Sequence, residues 1–142
     1  MKKFILFLST AALISACTDP KQAVVDDLRN ETIALHDEVM PRMGEIVELA
    51  QALKQLREEV VLDSTDSTGS ARLVYTEHIA ALDAAHEDMM QWMADYEPDY
   101  EKEHPLDSAL NYYEGQRVQI LSVKQAIENS IEHANVLQQN HP

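Results

Sequence analysis

The apolar positions of this chain recur in steps of three and four along three long stretches, the spacing of one buried helix face. No stretch sustains the alternation of a half-buried strand. The first stretch runs from Pro20 to Val61. Its main stripe is Val25, Leu28, Thr32, Leu35 and Val39, continued by Arg42, Ile46, Leu49, Leu53, Leu56 and Val60. A second stripe lies beside it: Ile33, His36, Met40, Met43, Val47 and Ala50. Two adjacent stripes predict a helix that faces more than one partner. Asp19 is placed to cap it, and Pro20 suits the first helical position. A second helix is predicted from Ala71 to Tyr96, with Ile79, Leu82, His86, Met89, Met93 and Tyr96 on one face. Glu97-Pro98 ends it, because the residue before a proline is driven out of the helical region. A third helix opens at Pro105 and runs to Gln138, with Leu106, Leu110, Tyr113, Arg117, Ile120, Lys124, Ile127, Ile131 and Ala134 in its stripe.

Between these stretches lie a polar turn region, Asp63 to Ser70, and an acidic linker, Glu97 to His104. Asp99, Glu101 and Glu103 lack the spacing of a calcium loop and read as solvated linker carboxylates. Short connections make successive helices antiparallel neighbours, so the predicted fold is all-α: an up-down-up three-helix bundle over residues 20–140. The first helix, about 40 residues, would be roughly 60 Å long. Pro41 removes one backbone hydrogen bond and predicts a kink near its middle. That kink weighs against the alternative architecture, an uninterrupted coiled-coil rod that oligomerises. Gly44 and Gly115 sit inside helices, where glycine costs about 1 kcal/mol against alanine. A packing reason is therefore expected for both, such as close approach or room for Trp92.

The N-terminus has a different character. Lys2 and Lys3 form a short basic region, Phe4 to Ile14 is apolar apart from Ser9 and Thr10, and Ile14-Ser15-Ala16-Cys17 follows. The apolar run is shorter than the ~20 residues needed to span a bilayer and fits a signal-peptide core. Ile14-Ser15-Ala16-Cys17 resembles a lipobox. The resemblance implies that residues 1–16 are removed and that Cys17 carries three acyl chains. One acyl chain binds membranes only marginally, so three would anchor stably. Residues 17–19 then form the lipidated N-terminus and a short tether. Thr18, rather than Asp, follows the cysteine, which favours the outer membrane, facing the periplasm or the cell surface. The competing reading is a plain secretory signal with an incidental cysteine. Cys17 is the only cysteine, so no internal disulfide supports the fold.

Residues 1–16 contain two lysines and no acid, so the remainder carries nine basic and 25 acidic residues, a net charge of −16. Such a surface repels phosphate backbones and argues against nucleic-acid binding. It attracts cations in general, although a solvated helical surface accounts for most of these charges.

The five methionines beyond Met1 fall in two windows, Met40 and Met43, then Met89, Met90 and Met93. His36 shares a face with Met40 and Met43, and His86 shares one with Met89 and Met93. A hairpin centred near residue 65 sets Met40 against Met90, Met43 against Glu87, His36 against Ala94 and Gly44 against His86. Thioethers and imidazoles converging in a dry layer suit Cu(I). Methionine is equally a flexible core filler, so plain packing stands beside a copper site built from His36, Met40, Met43, His86, Met89, Met90 and Met93.

Enzymatic readings find less to rest on. A His-Glu-x-x-His zinc motif is absent. A di-iron bundle needs two helical Glu-x-x-His motifs, whereas Glu101-x-x-His104 lies in the linker and only Asp83-x-x-His86 lies on a helix. Phosphate-cradling glycine loops and a nucleophile elbow are also missing. The expectation is a non-enzymatic interaction or structural module, held at the membrane by its lipid, whose partner is another protein or a second copy.

The segments His36-Asp37-Glu38-Val39-Met40-Pro41-Arg42-Met43-Gly44 and Met89-Met90-Gln91-Trp92-Met93 resemble a family of small, uncharacterised helical lipoproteins of the Bacteroidota. Some of these carry the label "viral A-type inclusion protein", whose viral sense does not transfer. The resemblance implies a helical fold and an envelope location, and no reaction.

Overall fold

The computed structural model describes residues 19–62 and 69–140, and the chain is all-helical, with no strand among the described residues. The signal-peptide region, Cys17 and most of the polar turn at Asp63 to Ser70 lie outside them. Helix α1 spans Pro20–Val39, and after one 3-10 turn at Met40–Arg42 the chain continues as α2, Met43–Leu62. Helix α3 is Ser70–Asp95, α4 is a single turn at Tyr100–Glu103, and α5 is Leu106–Gln139. None of the described helices is long and apolar enough to cross a membrane.

The helix ends follow from local chemistry. The Asp19 side chain accepts the Lys21 N–H at 2.8 Å, and Pro20 contributes no orphan donor to the first turn. Gly69 precedes α3 with φ of +65°, a left-handed conformation that glycine adopts without steric cost. Tyr96 closes α3 in an extended conformation, two residues before Pro98, and His104 is extended ahead of Pro105. Pro41 does not end its helix. Lacking an N–H, it cannot satisfy the Asp37 carbonyl, and the chain tightens so that the Met43 N–H bonds to Met40 O. The helical path therefore stays long and continuous from α1 into α2.

The stripes become the core. Val39, Met43, Ile46, Leu49, Ala50 and Leu53 pack with Tyr75, Ile79, Leu82, Ala85, Met89 and Trp92, and with Ile120, Ile127, Ile131 and Ala134 of α5. A second, smaller cluster joins Val25 to Ala109 and Tyr113. Thr32, fully buried in the first stripe, satisfies its hydroxyl by donating to Leu28 O at 2.7 Å. Arg117 and Lys124, which fall within the α5 stripe, keep their stems half-buried and place their heads on Glu31 (3.2 Å) and Glu38 (3.0 Å) of α1. With Lys21–Asp107 at 2.6 Å, these pairs join α1 to α5 at a constant offset of 86 residues.

Partners change along the molecule. α1 lies mainly against α5, whereas α2 packs on both α3 and α5. The cause is length: α3 has 26 residues and α5 has 34, so α5 is longer by about 12 Å. The unmatched end of the α1–α5 pair is covered by the Glu97–His104 linker, with α4 inside it.

The packing reason expected for the interior glycines is not found. A Cβ at Gly44 or at Gly115 would meet nothing within 4 Å, and both positions are exposed. Neither makes room for Trp92 or a neighbouring backbone. Each substitution, Gly44→Ala and Gly115→Ala, should therefore stabilise the protein by about 0.5–1 kcal/mol, through the reduced freedom of the unfolded chain. Urea unfolding followed by circular dichroism measures this, and a loss of stability in both variants would show that the glycines have a packing role after all.

Candidate functional site

The Met/His layer assembles only in part. Met43 and Met89 are buried in the main core, which also holds Trp92, and Met40 and Met93 pack against it. Met90 is 46% exposed on the outer side of α3, since one residue turns the side chain about 100° from Met89. It does not face Met40 as the hairpin register predicts. His36 stacks on Trp92 (5.6 Å between ring centroids, 29° between planes), and its Nδ1 lies 2.9 Å from an Asp37 carboxylate oxygen. It thus meets Trp92 rather than Ala94. His86 lines a separate groove between α2 and α3 with Val47, Ala50, Lys54, Asp83 and Glu87. His86 and Glu87 therefore face a level about one turn further along α2 than Gly44 and Met43.

The densest polar and aromatic constellation lies instead at the end that α3 leaves uncovered. From Trp92 the rings run in order: Tyr96 at 4.9 Å, Tyr112 at 6.4 Å, Tyr100 at 4.1 Å and His104 at 3.8 Å, each measured from the ring before it. Tyr113 completes the group, edge-on to Tyr112 at 5.1 Å. Offset and edge-to-face contacts of this kind add to the burial of the rings. The Glu97 N–H donates to the Tyr112 hydroxyl at 2.6 Å. The His104 Nδ1–H donates to Tyr100 O at 3.0 Å, which holds its ring parallel to that of Tyr100.

At the centre is Glu101, which sequence patterning reads as a solvated linker carboxylate. Its side chain is only 8% exposed. Arg29 of α1 pairs with one carboxylate oxygen, and the Tyr113 hydroxyl donates to the other, with Pro98 O 3.0 Å from the same hydroxyl. Burial alone would raise the Glu101 pKa. The Tyr113 hydrogen bond, a backbone amide and the Arg29 guanidinium outweigh it and hold the carboxyl below its ordinary value. Burial and the same carboxylate push the Tyr113 phenol up. Burial, reinforced by Tyr112, pushes Tyr96 up to about 12. These phenols stay neutral near pH 7 and are poor proton acceptors, so the constellation acts as a tie between α1, the linker and α5. The signal for it in the sequence was faint: Tyr96, Tyr112 and Tyr113 flank one acidic linker that contains Tyr100, and Arg29 lies far away in the chain.

An open groove of about 420 Å³ runs beside this tie, lined by Arg29, Asn30, Ile33, Asp37, Tyr96 and Pro98. The Tyr96 hydroxyl and the Trp92 indole nitrogen are buried without a protein hydrogen-bond partner. Among the described residues, no three His, Cys, Asp or Glu side chains come together as a metal site. Compared with known proteins, the chain matches no family model, no curated sequence and no solved structure.

The depressed Glu101 carboxyl contributes stability that is present above its ordinary pKa of 4.5 and is lost as the pH falls through the lower folded-state value. Glu101→Gln should cost about 1.5–3 kcal/mol at pH 7, the worth of hydrogen bonds to a charged group. It should also flatten the loss of stability below pH 4.5. Denaturant unfolding between pH 3 and pH 7 tests both. An acid limb as steep in the variant as in the wild type would mean that other carboxylates set it.

Proposed function

We propose that this chain is a lipid-anchored, non-enzymatic helical module of the cell envelope, held through Cys17, on the outer membrane. The observation that carries the reading is the N-terminal sequence, a basic start, a short apolar run and Ile14-Ser15-Ala16-Cys17. The Bacteroidota lipoprotein resemblance agrees with it. The helical domain adds support of its own kind: the buried carboxylate of Glu101 is engaged by Arg29 and Tyr113 in holding elements together. Its cross-helix ion pairs fix register in the same way. The constant offset between α1 and α5 supports an up-down-up path for the three long segments. The 3-10 turn at Met40–Arg42 supports a bend at Pro41. The partner in this reading is another protein or a second copy.

Metabolic labelling with a palmitate analogue should mark the wild-type protein and leave Cys17→Ser unlabelled, and fractionation should move Cys17→Ser out of the membrane pellet. Equal labelling of both proteins would overturn the anchor.

A second reading, Cu(I) binding, draws on the four methionines, Met40, Met43, Met89 and Met93, that share the main core cluster. Leucine nearly conserves methionine volume, so Met40→Leu, Met89→Leu and Met93→Leu together should keep the fold at a cost below about 1.5 kcal/mol for each change. Anaerobic titration against a Cu(I) chelator separates the two accounts. Copper binding predicts that the triple variant loses its competition with the chelator, and equal competition by both proteins would leave packing as the whole role of the layer.

A further inference from the structure

The far end of the α3–α5 pair carries a second imidazole arrangement that neither the tyrosine tie nor the methionine layer uses. His78 of α3 and His133 of α5 face each other across the helix pair, with ring centroids 6.2 Å apart and planes at 70°. They line one groove of about 340 Å³ with Glu132, Val136, Leu137 and Asn140. Among the described residues, no lysine or arginine lines that groove to repel a cation.

The protonation chemistry of His78 is set by its neighbour. Its Nδ1 lies 2.9 Å from Val74 O, and a carbonyl oxygen can only accept, so Nδ1 carries the hydrogen. In the neutral ring, Nε2 then bears the free lone pair. A ring nitrogen bonded to a backbone carbonyl is the arrangement that fixes the tautomer and orientation of metal-ligating histidines. We propose that His78 and His133 form an interhelical two-imidazole site for a borderline divalent cation, of the Cu²⁺ or Zn²⁺ class.

The geometry is close to what the bond lengths require. Metal–nitrogen bonds of about 2.0–2.1 Å place two imidazole centroids about 5 Å apart around one ion at tetrahedral angles, and slightly further apart at wider angles. A rotamer adjustment of the exposed His133 would close the observed 6.2 Å. Two imidazoles are the whole protein contribution, and water completes the coordination shell. Among divalent ions of the first transition row such a nitrogen site favours Cu²⁺ most. The strongly negative chain raises the local concentration of any cation. A bound ion would tie the start of α3 to the end of α5, the end opposite the tyrosine tie.

The test uses the untagged full chain in detergent, titrated with Cu²⁺ alone and followed by calorimetry and by electron paramagnetic resonance. The wild type should bind one equivalent at least tenfold more tightly than His78→Gln or His133→Gln, with nitrogen coupling from two imidazoles that drops to one in each variant. Because His133 is exposed, His133→Gln keeps the helical spectrum and decides the matter even if His78→Gln perturbs the fold. His86→Gln, in a different groove, should bind as the wild type does. Equal affinity in the wild type and His133→Gln, or a loss in His86→Gln, would overturn the proposal. The triple methionine variant should retain this site, which separates it from the Cu(I) reading.

Discussion

The architecture depends on a mismatch of length. Helix α3 stops at Asp95, while α1 and α5 extend past it, and two helices alone cannot enclose the apolar faces they turn toward each other. The chain resolves this with the linker that follows α3. Tyr96, Tyr100, Tyr112 and Tyr113 supply large rings that cover area at low entropic cost, and Arg29, Glu101 and the Tyr113 hydroxyl fasten the cover. Without it, Val25 and Ala109, both fully buried, would face water. The smaller core cluster therefore exists because α3 ends early.

Charge has a related role along the rest of the bundle. Exposed ion pairs contribute little stability singly, typically 1 kcal/mol or less. Lys21, Arg117 and Lys124 each pair with an acid on the facing helix, and all three pairs share one offset. In a chain with a net charge of −14, the few cations are placed where they relieve repulsion between facing acidic helices. A sliding of α1 along α5 by one turn would misalign all of them together, so the pairs specify register more than they add stability. Lys54 bridging to Asp83 at 3.3 Å does the same between α2 and α3.

The methionines show how ambiguous clustering in a sequence is. Met40, Met43, Met89 and Met93 do belong to one core cluster that also holds Trp92, and an unbranched thioether is an adaptable filler for such a core. His36 reaches that region and lies flat on the indole, whereas His86 belongs to another groove. A face shared on a single helix is therefore a weaker condition than convergence between helices.

The sequence by itself determined the helical class, the cap at Asp19, the helix end before Pro98, the helix start at Pro105, and the residues turned inward, because each rests on local geometry and on a period of 3.6 residues. Val25, Thr32, Val39, Ile46, Leu53 and Ile127 are buried as their spacing requires. Pro41 was visible too, although its consequence, one tighter turn within a continuous helix, depended on what the neighbouring backbone could absorb. Periodicity fixes a face relative to its own axis and carries no information on axial register or on how far a neighbouring helix extends. Those were decided by tertiary structure: the place of His86 in a groove between α2 and α3, away from Gly44, and the burial of Glu101 by an arginine 72 residues away. A carboxylate in an acidic linker is solvated unless a distant cation and a phenol reach it, and only the folded chain brings them there.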